Sequence, residues 1–250
     1  MREEAYPGSA RLDELNGLAE EIARFLQRTR DDLSRVRLAM QALLDAVEQE
    51  GRRPSRGDLD GISESLQACL RDPNPPMDRL GVATAVDYLA DSPYWMEWWG
   101  TDSRGNLEFV GHSLNPQRDN FYDYSARSWF SIPQDFGAAA VIGPYVDFGG
   151  INSYTYTVTI SVPVVTARGF AGVAGADILA DKFERFLSSG RHQEPVVLAN
   201  ADLRVIASNT SAHLPGDLLR AEDLASWTRL DLASDLFTPG KSWQLATPSP

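Results

Sequence analysis

The ten residues 121–130, FYDYSARSWF, combine five aromatic rings with an arginine and an aspartate. A plain core segment would not carry Arg127 among its rings, because burying an unpaired charge is costly. A plain surface loop would not expose so much aromatic area to water. The composition therefore indicates a binding site, in which Arg127 offers a bidentate clamp for a carboxylate, Trp129 a flat wall with one N–H donor, and Tyr122 a hydroxyl.

Two later stretches supply groups of the opposite character. GPYVDFG puts Tyr145 and Asp147 two residues apart on a predicted strand, so both side chains leave the same face. Asp177 lies in GVAGADI, a predicted strand whose small residues leave space above the sheet. Carboxylates and phenol oxygens suit an ammonium group. With Arg127 at the other end they predict a dipolar pocket, which matches the charge pattern of a free α-amino acid.

Each of these residues also has a purely structural interpretation. Arg127 could pair with Asp123 or Asp147 and tie a loop. Asp177 could cap the helix predicted from residue 179. Tyr145 could belong to the core. For the site interpretation we expect a turn around Arg127, because a helical backbone would splay its side chain away from that of Trp129.

The elements that carry these residues begin with one long helix, predicted over residues 11–49. Its apolar positions follow steps of three and four residues, close to a heptad repeat: Leu15, Leu18, Ile22, Phe25, Thr29, Leu33, Val36, Met40, Leu43 and Val47. A helix of this length would span roughly 60 Å, more than one small domain needs. The stripe either packs on its own domain or also pairs with a second chain, which predicts a homodimer.

The remaining pattern predicts an α+β fold, with a meander of antiparallel strands and helical insertions rather than alternating βαβ units. GRRPSRG and DPNPP flank a second helix at 58–71. The later elements are a hairpin at 94–114, a short helix in 121–133, strands at 138–147, 153–166 and 170–178, and a helix at 179–188. We expect three regions: a helical region (1–79), a ligand-binding module (80–190) and a smaller second module (191–250).

Residues 80–190 resemble the ligand-binding module of the double-Cache family, the PAS-like (PDC) sensors of bacterial chemoreceptors and sensor kinases. The resemblance rests on the spaced set Tyr122, Arg127, Trp129, Phe130, Tyr145 and Asp177, which matches the motif of the amino-acid-binding members, and on the strand phrases VPVV and GFAGVAGADI. The tail from Pro195 resembles the second, smaller module. Together the likeness covers about 170 of the 250 residues.

The resemblance implies a role for each motif residue. Arg127 and Trp129 would hold the ligand's carboxylate, while Asp177 and Tyr145 would hold its ammonium group. Phe130 stands where the family usually has a tyrosine, so one hydroxyl is missing, and the ligand could be an amine or a modified amino acid. We therefore expect a sensor that binds an amino acid or related amine, without catalysis.

Composition excludes other classes of function. The net charge of −12 disfavours nucleic acid and anionic membranes as partners. The single cysteine, Cys69, and three scattered histidines predict no metal site, and no cofactor is expected. No apolar run reaches the length of a membrane span and the N-terminus has no apolar stretch, so we expect a cytoplasmic protein, with a domain cut from a membrane receptor as the alternative. Two alternatives stay open: an interaction module that uses the long helix, and an enzyme on a PAS-like scaffold.

Overall fold

The computed structural model describes residues 7–102, 104–146, 156–189, 194–220, 222–232 and 242–249. Its helices are α1 (Pro7–Gln49), α2 (Ile62–Leu70), α3 (Ser128–Phe136) and α4 (Ala180–Leu187), with 3₁₀ turns at Arg56–Leu59 and Asp223–Ser226. Its strands are β1 (Arg79–Thr84), β2 (Met96–Thr101), β3 (Leu107–Phe109), β4 (Ala140–Val146), β5 (Tyr156–Thr166), β6 (Gly169–Leu179), β7 (Val197–Ala199), β8 (Val205–Ser208), β9 (Trp227–Asp231) and β10 (Gln244–Pro248).

Within the described ranges the strands form two antiparallel sheets. The large sheet has six strands in the order β3-β2-β1-β6-β5-β4, and the small sheet has four in the order β8-β7-β10-β9. A long N-terminal helix followed by a large and a smaller antiparallel sheet confirms the α+β class expected from the sequence. The division into regions 1–79, 80–190 and 191–250 stays a prediction.

The two faces of the large sheet differ in character because side chains alternate along each strand. On β5 and β6 the residues Val158, Ile160, Ala174 and Ala176 belong to the main hydrophobic core, which also contains the buried stripe of α1. The alternate residues, among them Thr159, face the other way, toward the segment 110–136. One face of the sheet therefore holds the core, and the other is free to build a site.

The apolar stripe of α1 is buried within the chain. Leu26 and Leu44 are buried where Phe25 and Leu43 were expected, and the latter two are partly buried against the core. The buried positions are Leu15, Leu18, Ile22, Leu26, Thr29, Leu33, Val36, Met40, Leu44 and Val47. The same core includes Leu198 and Trp243 from the region of the small sheet, so α1 joins both sheets. Of the two interpretations, packing on its own chain accounts for the stripe. Burial of the stripe does not need a second chain, and homodimerisation stays a prediction.

The predicted second helix is interrupted near its start. Arg56–Leu59 forms a 3₁₀ turn, and α2 begins only at Ile62, after Gly61. Asp58, which the sequence suggests as the cap of this helix, does not cap α2. Its carboxylate accepts hydrogen bonds from the Ser55 N–H at 2.8 Å and from the Arg52 guanidinium at 2.6 and 2.8 Å. The Arg52 contact holds the pKa of Asp58 well below its usual range.

Packing of α1 on the sheets predicts different costs for two leucines of the same helix. Leu33 is fully buried, whereas Leu38 is 54% exposed. Leu33→Ala should lower the free energy of unfolding by about 2–5 kcal/mol through lost burial and a cavity. Leu38→Ala should change it by less than about 0.5 kcal/mol. Urea unfolding measures both variants. Equal costs would contradict the packing of α1 described here.

Candidate functional site

A row of hydrogen-bonded polar side chains crosses the site face of the large sheet. Thr159 on β5 and Asp177 on β6 are directly opposite each other, and Thr159 Oγ1 donates to Asp177 Oδ1 at 2.6 Å. Tyr145 Oη lies 2.6 Å from Thr159 Oγ1. Since a hydroxyl carries one proton, Thr159 donates to Asp177 and accepts from Tyr145. The row therefore orients the Asp177 carboxylate, which is 8% exposed.

A register shift in β4 brings Tyr145 into this row. Ile142 pairs with Thr159, but Tyr145 pairs with Thr157, so one extra residue lies on β4 between the two pairs. Without this bulge Tyr145 would face the opposite side of the sheet. Gly143 makes the bulge possible: its φ is 132°, and a Cβ there would lie 2.7 Å from the Thr157 carbonyl oxygen.

Trp98 on β2 contacts the other oxygen of Asp177. Its indole Nε1 donates to Asp177 Oδ2 at 3.0 Å. The indole lies over two glycines: a Cβ on Gly81 would be 2.2 Å from its ring, and one on Gly175 would be 2.7 Å away. The space above the small-residue strand, which the sequence suggested for a ligand, is therefore partly filled by Trp98. Arg79 on β1, the Cα partner of Asp177, lines the same site.

The segment 110–130 covers this face of the sheet. Tyr124 fixes the segment, because its hydroxyl donates to the Thr84 carbonyl at 2.9 Å and accepts from the Trp95 N–H at 3.1 Å. Ser161 Oγ donates to the Trp129 carbonyl at 2.6 Å and fixes the start of α3. The covering side chains are thus held by direct bonds to the strands beneath them.

The space between cover and sheet, here called the Asp177 pocket, has a volume of about 10 Å³. It is lined by Arg79, Met96, Trp98, Val110, His112, Tyr122, Trp129, Tyr145 and Asp177. A cavity of this volume holds about one water molecule. An amino acid is larger, so its binding must move at least one lining side chain.

A larger space, here called the Arg127 groove, adjoins the pocket and has a volume of about 400 Å³. Its lining residues are Tyr122, Arg127, Ser128, Trp129, Ile142, Gly143, Pro144, Tyr145, Val146, Asn200 and Arg204. The pocket and the groove share Tyr122, Trp129 and Tyr145 as a common wall. The Arg127 guanidinium carbon lies 5.3 Å from the Tyr122 ring centroid, within the range of a cation–π contact.

The seven residues expected at the site occupy different places. Tyr122, Trp129, Tyr145 and Asp177 line the pocket, while Arg127 lines the groove on the other side of the shared wall. Phe130 is fully buried in an aromatic cluster with Tyr124, Trp129 and Phe170, and it lines neither space. Asp147 lies outside the described residues. The ligand-binding roles of all seven stay predictions.

The structure bears on the three structural interpretations, except for a pairing of Arg127 with Asp147, which lies outside the described residues. The Asp123 carboxylate accepts from the Ser125 N–H and hydroxyl, and within the described ranges Arg127 forms no ion pair. Asp177 does not cap α4. The Leu179 N–H, just before that helix, donates instead to Asp78 Oδ2 at 2.8 Å. Tyr145 is half-buried and bonded to Thr159 rather than packed in the core.

The expected turn at Arg127 proves to be the start of a helix. Arg127 is the N-cap of α3 with an extended backbone (φ −83°, ψ 140°), and Trp129 already lies in the first helical turn. The change from extended to helical backbone directs the side chains of Arg127 and Trp129 to different places. Arg127 lines only the groove, while Trp129 lies in the shared wall.

Four residues with polar side-chain atoms that line the Asp177 pocket or bond to Asp177 are absent from the sequence prediction: Arg79, Trp98, His112 and Thr159. A signal for Thr159 existed, since Thr157, Thr159 and Ser161 alternate with apolar residues, and all three are buried. Trp98 is one of several rings in the stretch YWMEWW, so residue chemistry does not single it out, and His112 is one of three scattered histidines. The sequence around Arg79 does not indicate a binding site, because Arg79 lies beside Asp177 only through the pairing of β1 with β6.

No protein-family model matches the chain, and no curated protein sequence matches it. Solved structures do share its fold. Methyl-accepting chemotaxis protein X has a TM-score of 0.65 at 15% identity over 97% of this chain and 98% of that chain. The ligand-binding domain of the Pseudomonas aeruginosa amino acid chemoreceptor PctC, in complex with GABA, has a TM-score of 0.62 at 15% identity over 97% and 99%.

A third neighbour bears on location. The extracellular domain of mmHK1S-Z3, named as a histidine kinase, has a TM-score of 0.61 at 15% identity over 96% of this chain and 94% of that chain. The expectation of a cytoplasmic location is therefore wrong. The fold neighbours of this chain are sensory domains of chemoreceptors and an extracellular domain. Separately, none of the described helices is long and apolar enough to cross a membrane. The resemblance to Cache-type sensors is supported at the level of the fold.

The buried hydroxyl of Tyr124 predicts a loss of stability in alkali. Burial raises the pKa of Tyr124 from 10.0 to about 12. Between these pH values the unfolded chain loses this proton while the folded chain keeps it, so stability present below pH 10 falls as the pH rises to 12. Tyr124→Phe should therefore show a shallower alkaline decline, and it should cost about 1–3 kcal/mol at neutral pH by leaving the Trp95 N–H and Thr84 carbonyl without the phenol.

Urea unfolding as a function of pH, together with tyrosinate absorbance, measures this effect. Tyr88 remains in the variant, and burial also raises its pKa to about 12, so part of the decline should persist. Tyr94→Phe is the control, since the Tyr94 ring packs on that of Tyr124. Parallel pH curves for the wild type and Tyr124→Phe would contradict the role assigned to this hydroxyl.

Proposed function

We propose that this chain is the ligand-binding part of a sensor and recognises an amino acid or a related amine. The observation that carries the proposal is the Asp177 carboxylate, buried under aromatic rings and oriented by Thr159 and Trp98. Buried carboxylates that are held in one orientation at a concave site are typical of sites that bind a cation. A ligand ammonium group is the cation that suits this pocket.

The surroundings of Asp177 fit an ammonium group in two ways. Trp98, Tyr122 and Trp129 present ring surfaces, which attract a cation through their quadrupoles. Tyr145 adds a phenol oxygen at the end of the hydrogen-bonded row. A ligand ammonium could thus donate to a carboxylate and a phenol while lying against aromatic rings.

The Arg127 groove would bind the opposite end of the ligand, its carboxylate. Arg127 lies across the shared wall from Asp177. A guanidinium binds a carboxylate through two parallel hydrogen bonds. The proposal places the ligand ammonium in the Asp177 pocket and its carboxylate at Arg127, so the ligand replaces part of the wall formed by Tyr122, Trp129 and Tyr145. The neighbour PctC, which is an amino acid chemoreceptor seen with GABA, supports the same class of ligand.

No observation favours the enzyme alternative. Two of the three neighbours are a chemotaxis protein and a chemoreceptor domain, and the third is the extracellular domain of a protein named as a histidine kinase, so none of the matching domains is named for an enzymatic activity of its own. The interaction-module alternative depended on the long helix, whose apolar stripe is used within the chain. A sensor of a small ligand therefore remains the function that the site supports best.

Asp177→Asn tests the ammonium end after a thermal-shift screen of amino acids and amines has identified a ligand. The substitution keeps the shape of the side chain and removes its charge. Affinity for the amino ligand should fall roughly 10- to 150-fold, which is the contribution of a hydrogen bond to a charged group. The deaminated analogue of the ligand should lose affinity for the wild type to a similar extent.

Calorimetry measures both comparisons. Asp135→Asn is the matched control, because Asp135 is an exposed carboxylate on α3 that lines neither space. Equal affinity of the wild type for the amino ligand and its deaminated analogue would refute the ammonium site.

Arg127→Ala tests the carboxylate end. If Arg127 binds a carboxylate in a partly dry site, affinity should fall by about 30-fold to several thousand-fold, since truncating one member of such a pair costs roughly 2–5 kcal/mol. Arg127→Lys should restore part of the affinity, because it keeps the charge and loses the planar fork. The free energy of unfolding should change little, since Arg127 is exposed. Binding of a carboxylate ligand within threefold of wild type would refute the clamp.

A further inference from the structure

The Arg127 groove contains a second arginine, which comes from the other sheet. Arg204 directly precedes β8, the second strand of the β7–β8 hairpin, and it lines the groove together with Asn200. Arg127 and Arg204 are thus two cationic side chains that face one space from two different parts of the fold. Resting on the proposed function, we infer that the ligand carries a second anionic group bound by Arg204, and that its class is the amino dicarboxylic acids.

The charges around the groove support this class of ligand. None of its described lining residues is acidic, although the whole chain carries a net charge of −12. Ser128, the first residue of α3, also lines the groove, so the positive end of that helix adds to the field. Two guanidinium groups in one space are balanced by two carboxylates, whereas a monocarboxylic amino acid would balance only one.

Arg204 is held in place without its donors being used up. Its Nη1 donates to the Gly216 carbonyl at 2.7 Å, and in the described part of the chain this is its only side-chain hydrogen bond. A guanidinium has five N–H donors, so a planar edge remains for a carboxylate. The hairpin itself is fixed by Asn200, whose Oδ1 accepts from the Arg204 N–H at 2.9 Å.

Asn200 also ties this hairpin to the large sheet. Its Nδ2 donates to the Gly143 carbonyl at 2.8 Å, and Gly143 belongs to the bulge that directs Tyr145 into the shared wall. A dicarboxylate bound to both arginines would add a second link between the two sheets beside this one. Binding of a dicarboxylate would then change how the small sheet is held against the large sheet. A monocarboxylic ligand would not form this link through Arg204.

Calorimetry with two matched ligand pairs tests the inference: L-aspartate against L-asparagine, and L-glutamate against L-glutamine. Each amide has nearly the shape of its acid and lacks the second charge. The wild type should bind one of the acids roughly tenfold or more tightly than its amide. Arg204→Gln should remove that preference while changing the affinity for the amide by less than about threefold.

Two further variants make the result specific. Arg204→Lys should keep part of the preference for the acid, since the charge stays and the fork is lost. Arg220→Gln is the matched control: it makes the same charge change on an exposed arginine beside Glu222, outside the groove, and should leave the preference intact.

The outcomes separate this inference from the proposed function. Equal affinity for an acid and its amide in the wild type, or an equal loss for both in Arg204→Gln, overturns the role of Arg204 and leaves the amino acid sensor standing. Loss of the preference in Arg220→Gln also overturns it, because a general charge effect would then explain the result. Tight binding of a deaminated dicarboxylate overturns the proposed ammonium site instead. If none of the four amino acids binds, the dicarboxylate inference is overturned, whereas the proposed function is overturned only if the thermal-shift screen of amino acids and amines finds no ligand.

Discussion

The site face of the large sheet is organised around one constraint, the burial of the Asp177 carboxylate. A buried carboxylate is costly unless donors hold it, and the Thr159 hydroxyl and the Trp98 indole are donors to Asp177 here. The indole can reach Asp177 only because Gly81 and Gly175 have no side chains beneath it. Small residues in two adjacent strands are therefore a direct consequence of keeping a charge on this face.

The same strands that present the site also build the core. On β5 the residues facing α1 are apolar and fully buried, while the alternate residues Thr157, Thr159 and Ser161 are buried and polar. If a strand that is buried on both faces shifted by one residue along its neighbours, its apolar and polar residues would exchange faces. The position of Thr159 opposite Asp177 is thus fixed by the packing of the opposite face, which gives the candidate site a rigid base.

The candidate site divides its charges between two spaces. The Asp177 carboxylate lines a small pocket against the sheet together with Arg79, and Arg127 lines a wider groove toward the small sheet. The rings of Tyr122, Trp129 and Tyr145 separate them, so a ligand that uses both must displace part of that wall. Because the groove is lined by residues of the large sheet and of the β7–β8 hairpin, a ligand in it would contact both parts of the fold.

Much of this arrangement was already determined by the sequence. The stripe of α1, the α+β pattern and the polar residues Tyr122, Trp129, Tyr145 and Asp177 follow from periodicity and residue chemistry, and the comparisons confirm the fold. Periodicity succeeds because burial imposes a repeat of about 3.6 residues on a helix and of 2 on a strand. The one location the sequence suggested was wrong, since the absence of an apolar stretch does not identify a compartment.

Only the tertiary structure decided which of these residues meet. Strand pairing puts Arg79 and Thr159 beside Asp177, and the Gly143 bulge turns Tyr145 to the same face. The end of an extended segment at Arg127 separates it from Trp129, and the β7–β8 hairpin adds Arg204 from more than 70 positions along the chain. A local pattern cannot give these contacts, because register, bulges and the packing of one sheet on another depend on residues far apart in sequence.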